Sequence, residues 1–190
     1  MRVLFFDTET TGLPLWKEPS DHPDQPHVVD LSCELWNDET LAEEFDCLIN
    51  PGVPIPPELT EIHGISDEMV QADGIAPVDA WDRFKALVGK ADLLCGHNVS
   101  FDIRMMRILS ARHLGLKWEP MQPTFCTMRK STNICQIPSR NQRYEQDWKW
   151  PNLSEAIRFF FDEEHSDAHR AKPDVVAARR IFFHLKNMES

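Results

Sequence analysis

Residues 2–6, Arg-Val-Leu-Phe-Phe, form a near-continuous apolar run that stops at Asp7. A run without polar alternation is what a strand buried on both faces requires. Residues 91–95 form a second, ended by Gly96-His97-Asn98. Residues 28–36 and 40–49 instead alternate, as the arms of a hairpin turning near Asn37-Asp38-Glu39 do. Helices are expected over 57–63 and from Ser66, where Asp67 and Glu68 occupy a first turn. Residues 77–89 place Val78, Trp81, Phe84, Ala86, Leu87 and Val88 toward one helical face. Further helices are predicted over 100–114 with Ser100 as cap, 153–161 capped by Asn152, and 173–188. Residues 14–27 carry four prolines and read as an exposed loop, while 117–152, with three tryptophans and four prolines, fit no regular pattern. Strands alternating with helices after an opening hairpin predict one α/β domain over residues 1–190, built on a mixed sheet.

No run of 18 or more apolar residues exists in the 190-residue chain, so no membrane span is expected. Acidic and Thr/Gly residues interrupt the N-terminus before a signal-peptide core could form, which makes the cytoplasm the expected location. The cysteines (33, 47, 95, 126 and 135) are odd in number and contain no Cys-x-x-Cys pair, so buried free thiols are expected. Net charge is −11, but unevenly spread. Residues 14–82 hold one basic residue, Lys17, against 17 acidic ones, whereas 117–151 hold six basic against three acidic. The net charge argues at first sight against a nucleic-acid partner, but a site gripping a few nucleotides does not need the broad basic footprint of a duplex binder, so the distribution is compatible with one without supporting it. Trp118, Trp148, Trp150, Arg129, Lys130, Arg140, Arg143 and Lys149 interleave aromatic and basic side chains as single-strand binding does. Tryptophans closing a long loop against the core are the competing explanation.

Carboxylates fall at element ends. Asp7 and Glu9 sit two apart at the exit of the first strand, so both point to one side. Asp102 falls in the first turn of a helix and Asp174 at the start of the last one. Strand exits and helix starts converge at one edge of an α/β sheet. Carboxylates gathered there would repel and lose charge unless cations neutralised them. Hard oxygen ligands in that number suit two Mg²⁺ or Mn²⁺ ions. Singly, each residue has a plainer explanation: a solvated turn for Asp7 and Glu9, dipole compensation for Asp102, a surface ring for His169.

The ordered set resembles a known family. FDTETTG (6–12) is similar to the first motif of the DnaQ-like, DEDD exonucleases, GHNVSFD (96–102) to their second, and HRAKPD (169–174) to their third. IHGIS (62–66) and KWPNLSEAIRFFF (149–161) resemble further family segments. The resemblance implies a ribonuclease H-like domain with a mixed five-stranded sheet flanked by helices. It also implies the histidine branch (DEDDh), since His169 stands five residues before Asp174 while the single tyrosine, Tyr144, lacks the surrounding pattern.

The implied activity is 3′→5′ hydrolysis of single-stranded DNA or RNA ends to nucleoside 5′-monophosphates, with DNA slightly favoured. Asp7, Glu9, Asp102 and Asp174 would hold the metal ions and His169 would take the proton from water. Thr10, Thr11, Gly12, Leu13, His63, Ile65, Asn98 and Phe101 would meet the terminal nucleotide or shape its pocket. A proofreading subunit acting mainly through a DNA polymerase, and a catalytically dead binding module, are the alternatives. The chain ends almost directly after its last predicted helix, which favours a stand-alone enzyme, with a homodimer left open.

Overall fold

A computed structural model describes residues 1–139, 147–165 and 169–188. Strands β1 (Arg2–Thr10), β2 (Val28–Asn37), β3 (Thr40–Leu48), β4 (Leu93–Gly96) and β5 (Thr124–Cys126) form one sheet in the order β3-β2-β1-β4-β5. The hairpin pairs are antiparallel, and β1–β4 and β4–β5 are parallel. This is the mixed five-stranded sheet of a ribonuclease H-like domain.

Two layers of helix cover the sheet, and alternation along β1 explains why. Leu4 and Phe6 pack with Trp81 and Phe84 of α3 (Pro77–Val88) and with Met105 and Met106 of α4 (Val99–Leu114). Val3 and Phe5 face the other way, onto Val175 and Phe182 of α7 (Ala171–Met188). Buried on both faces, β1 has no room for a polar residue until its exit.

Helices α1 (Pro57–His63) and α2 (Asp67–Asp73) lie where expected, and Ser66 caps α2 by accepting from the Met69 N–H. On α3 the buried face is Ala80, Trp81, Phe84, Leu87 and Val88; Val78 and Ala86 point to solvent. The cap of α4 is Asn98, not Ser100: Asn98 turns the chain through a left-handed conformation (φ 70°), and the Ser100 hydroxyl donates to its Oδ1. Residues 117–152 are more regular than their composition predicts, since β5 and α5 (Thr127–Cys135) lie there. A three-residue strand carries almost no periodicity of its own and owes its form to pairing with β4. Trp118 closes over Trp81 and Phe84, with centroids 5.4 and 5.5 Å away, so it belongs to the core. Arg140 and Arg143 lie outside the described residues.

Helix α6 (Leu153–Phe161) opens with a complete capping box between Asn152 and Glu155. Pro173 sits in the first turn of α7 rather than at its first residue, where a missing N–H still costs nothing. All five cysteines are free thiols. Among the described residues no helix is long and apolar enough to cross a membrane.

Phe182 fastens α7 to the sheet, its ring 5.2 Å from Phe5 and 4.9 Å from Phe125, both edge-on. Phe182→Ala should therefore cost about 3–5 kcal/mol in denaturant unfolding, the usual range for an emptied aromatic site. A loss below about 1 kcal/mol would mean that α7 is held by something else.

Candidate active site

The alternation that buries β1 also aims its carboxylates. Asp7 and Glu9 share the parity of Val3 and Phe5 and so face α7, while Thr8 faces α4. Asp174 stands in the first turn of α7. One oxygen each of Asp7, Glu9 and Asp174 lies within 4.8 Å of the others. Asp102, on the first turn of α4, is the fourth member; its Oδ1 accepts from the Thr8 amide (3.0 Å) and hydroxyl (2.8 Å). The structure thus assembles all four expected carboxylates, and Thr8, absent from the expected set, orients one of them.

Burial dominates the electrostatics. Asp7 is pushed well above the usual carboxylate range by burial first, then by the charges of Asp102, Asp174 and Glu9. Burial, then Asp174 and Asp30, raises Glu9 to about 8. Burial raises Asp102 to about 7 despite the bonds from Thr8. Asp174 is raised as well, again by burial, with a hydrogen bond from His165 opposing. A cluster of acids that cannot all ionise together is a cluster that a divalent cation would complete, so the donor set fits a hard metal ion.

Two histidines and a second ion pair surround Asp174. His165 Nε2 lies 2.5 Å from Asp174 Oδ1, and both side chains are mostly buried. His169 is exposed, at a left-handed φ of 68°, two residues before the start of α7. Its backbone amide and its ring charge also act on Asp174. Next to it, Arg170 Nε donates to Asp30 Oδ2 at 3.0 Å, and the Ala171 amide reaches the same oxygen at 3.4 Å. Asp30 is 2% exposed and stands directly across the sheet from Glu9. This pair, a buried carboxylate with a half-exposed guanidinium, anchors the segment that carries His169 and lay outside the expected set. Its signal in the sequence is a lone acid in the apolar stretch Val28-Val29-Asp30-Leu31.

The expected substrate-facing residues divide. Leu13 is 81% exposed at the rim, so core packing does not account for it. Thr10 and Thr11 are occupied locally: the Thr10 hydroxyl donates to the Gly12 carbonyl, and the Thr11 hydroxyl accepts from the His27 amide. A register shift between Glu9 and Thr10 turns this Thr-Thr-Gly-Leu loop out of the sheet. Phe101 is half-buried against the α3–α4 core, leaving part of its ring free. His63 is buried; its Nδ1 accepts from the Ile65 amide, which leaves Nε2 as the donor, directed at the Thr10 backbone. Ile65 departs from expectation: it is fully buried among Val29, Ile55 and Val70, and its side chain offers no surface to a ligand.

His97, of the same Gly-His-Asn turn, ties elements together. Its Nδ1 meets the Thr127 hydroxyl (2.9 Å) and its Nε2 the Pro151 carbonyl (3.0 Å), joining β4 to α5 and to the lead-in of α6. Burial pushes it down to about 4, so it is neutral at physiological pH.

A buried acidic cluster stands at a strand exit, facing a helix start on a ribonuclease H-like sheet, with the donor atoms that a metal ion could use. The sequence profile of the exonuclease (RNase_T) family matches residues 4–182, and the chain belongs to that family. Over 108 residues, 56% of this chain, it is 39% identical to a DNA polymerase III subunit epsilon-like protein of Rhodobacter capsulatus, of which that covers 14%. It is 32% identical over 108 residues to the DNA polymerase III subunit epsilon of Rickettsia typhi, covering 56% of this chain and 43% of that protein. It is also 26% identical over 182 residues to a PolC-type DNA polymerase III of Caldanaerobacter subterraneus, covering 96% of this chain and 11% of that one. The chain therefore spans less than half the length of these relatives. In fold it is similar to E. coli exonuclease I in complex with a dT13 oligonucleotide (TM-score 0.69, 20% identity, 97% of this chain and 40% of that one).

The raised carboxylates give the metal-free protein a pH signature. Above pH 6.5 the unfolded chain has ionised these acids, with ordinary pKa values of 3.8 and 4.5, while the folded protein still binds protons at Asp102 (about 7) and Glu9 (about 8). The folded state then holds more protons than the unfolded one, so stability falls as pH rises. The buried histidines, lowered to about 4 at His97 and His27, oppose this trend near pH 6.5, where unfolded imidazoles with their ordinary value of 6.5 are half protonated, and drop out only well above that pH, where both states are neutral. Tm in EDTA should accordingly drop from about pH 7.5 upward, through the range in which Glu9 (about 8) gives up its proton, and millimolar Mn²⁺ or Mg²⁺ should raise it most at the alkaline end. A Tm in EDTA that is flat or rising across this range would contradict the electrostatic account.

Proposed function

We propose that this chain is a metal-dependent 3′→5′ exonuclease that removes nucleoside 5′-monophosphates from single-stranded ends, DNA slightly ahead of RNA. The observation that carries the reading is the meeting of Asp7, Glu9 and Asp174 within 4.8 Å beside Asp102, at the foot of an open loop ending in exposed Leu13. Asp7, Glu9 and Asp174, with Asp102 beside them, would hold two Mg²⁺ or Mn²⁺ ions, which supply charge neutralisation and Lewis acidity at a phosphodiester. The Thr-Thr-Gly-Leu loop and Phe101 would receive the terminal nucleotide, buried His63 would support that loop from beneath, and Asn98 would keep the adjoining turn in place. Recognition of a free end, rather than a grip along a duplex, fits a chain whose net charge is −11 and whose basic residues are confined to a short stretch.

His169 is proposed as the base. Its ring is exposed next to the cluster, and a neutral imidazole can accept a proton from the attacking water. His165 is already engaged with Asp174, so it serves to orient that carboxylate, as outer-shell partners of metal ligands do. The contact at 2.5 Å also favours a second assignment, in which His165 is the base. A further reading, that the enzyme works together with a DNA polymerase, draws on the polymerase III proteins among the similar sequences.

Single-turnover digestion of 5′-labelled DNA and RNA strands separates these readings. With Mg²⁺ the labelled strand should shorten as a ladder, and EDTA or Asp174→Ala should abolish the reaction. His169→Ala should slow the chemical step on the order of 10²- to 10⁴-fold, and His165→Ala should slow it less. Turnover in excess EDTA would end the metal-dependent reading, and the reverse order of the two histidine variants would move the base to His165.

A further inference from the structure

A trough follows the outer side of α4, between the proline-rich loop 14–27 and the segment after the helix. Its two halves, of about 410 and about 500 Å³, meet at the Arg107–Glu119 ion pair. The half nearer the carboxylates is floored by Val99 and Ser100, less than one helical turn (about 5 Å) from Asp102. Trp16 stands on one wall and Arg129 on the other. Beyond Arg129 lies Trp150, its ring centroid 5.6 Å from the guanidinium carbon. Both indoles are 59% exposed.

Trp16 is held out by construction. Arg104 donates to the Ser20 hydroxyl (2.8 Å) and to the Leu15 (3.1 Å) and Glu18 (2.5 Å) carbonyls. Buried Gln25 accepts from the Leu15 amide and donates to the Leu15 carbonyl, each at 3.0 Å. The residue preceding Trp16 is therefore fixed on both backbone groups, and the loop presents the indole to solvent. An indole kept in water on a rigid loop loses the burial that would stabilise it, and a ligand face can restore that burial. In a chain of net charge −11 the groove is not acidic: Glu119 is paired with Arg107, and Arg129 adds a positive charge.

We propose that this trough holds the single strand immediately upstream of the terminal nucleotide, with bases stacked on Trp16 and Trp150 and a phosphate on Arg129. The inference rests on the exonuclease reading and extends it from the cleaved nucleotide to its neighbours. Aromatic faces flanking a guanidinium bind single strands without regard to sequence, because every base presents a π-face and every step a phosphate. The site also adjoins the carboxylates, so a strand leaving the terminal pocket over Ser100 enters it directly.

Fluorescence anisotropy of 5′-fluorescein-labelled dT10, with Ca²⁺ replacing Mg²⁺, reads binding without requiring turnover. Trp16→Ala and Trp150→Ala should each raise Kd about tenfold, within the range for losing one stacked base, and Trp16→Phe should recover most of the loss. Arg129→Gln should weaken binding and flatten its salt dependence by about one phosphate contact. A labelled dinucleotide, too short to reach the trough, should bind all variants alike. Unchanged dT10 affinity in the variants, failure of the wild type to bind dT10, or equal weakening for the dinucleotide would each overturn the proposal. In the first case the indoles become candidates for a protein contact. Tight, trough-dependent binding by a protein that never shortens dT10 in Mg²⁺ would instead sink the exonuclease reading and leave the trough standing.

Discussion

Mutual repulsion among buried carboxylates is the constraint on which the rest of the structure depends. Asp7, Glu9, Asp102 and Asp174 each lose charge stability by being where they are, and burial is the largest cause at every one. The fold supplies the opposing stability. Apolar β1 is sandwiched between α3–α4 and α7, and that packing leaves Asp7 and Glu9 one direction in which to point. The site is thus a strained product of a well-packed core, and a divalent cation is the partner that would relieve it.

Supporting contacts follow the same logic. Thr8, of opposite parity to its acidic neighbours, spends both its amide and its hydroxyl on Asp102. Asp30 offsets its own burial by taking the Arg170 guanidinium and the Ala171 amide, and so fixes the approach to α7. His169, at a positive φ rarely adopted by a side-chain-bearing residue, is held between that anchor and the first turn of α7. Strain at such a position persists only where the surroundings determine it, and it clusters at functional sites.

Much of this was legible in the sequence, for identifiable reasons. Strands β1 to β4 and most helices announce themselves through runs, alternation and caps, and the carboxylates through their places at element ends. What escaped detection depends on tertiary partners. Strand β5 exists by pairing with β4, and Trp118 became core through contact with Trp81 and Phe84. Ser100 looked like a cap because serine favours that position, yet Asn98 supplies the left-handed turn that a strand-to-helix reversal needs. Ile65 looked like a pocket residue because it neighbours His63, but the left-handed Gly64 between them sends it into a separate core. No spacing rule shows that His165, nine residues before Asp174, reaches it.

The central claim is that the acidic cluster is partly protonated until divalent ions bind. Calorimetric titration of Mn²⁺ at pH 6.5, in two buffers of different ionisation enthalpy, counts the protons released on binding. The account predicts clear proton release in the wild type, because Glu9 and Asp102, raised to about 8 and about 7, must ionise to become ligands. Glu9→Gln should release fewer protons and bind more weakly. Tight Mn²⁺ binding with no proton release, or with release unchanged by Glu9→Gln, would contradict it.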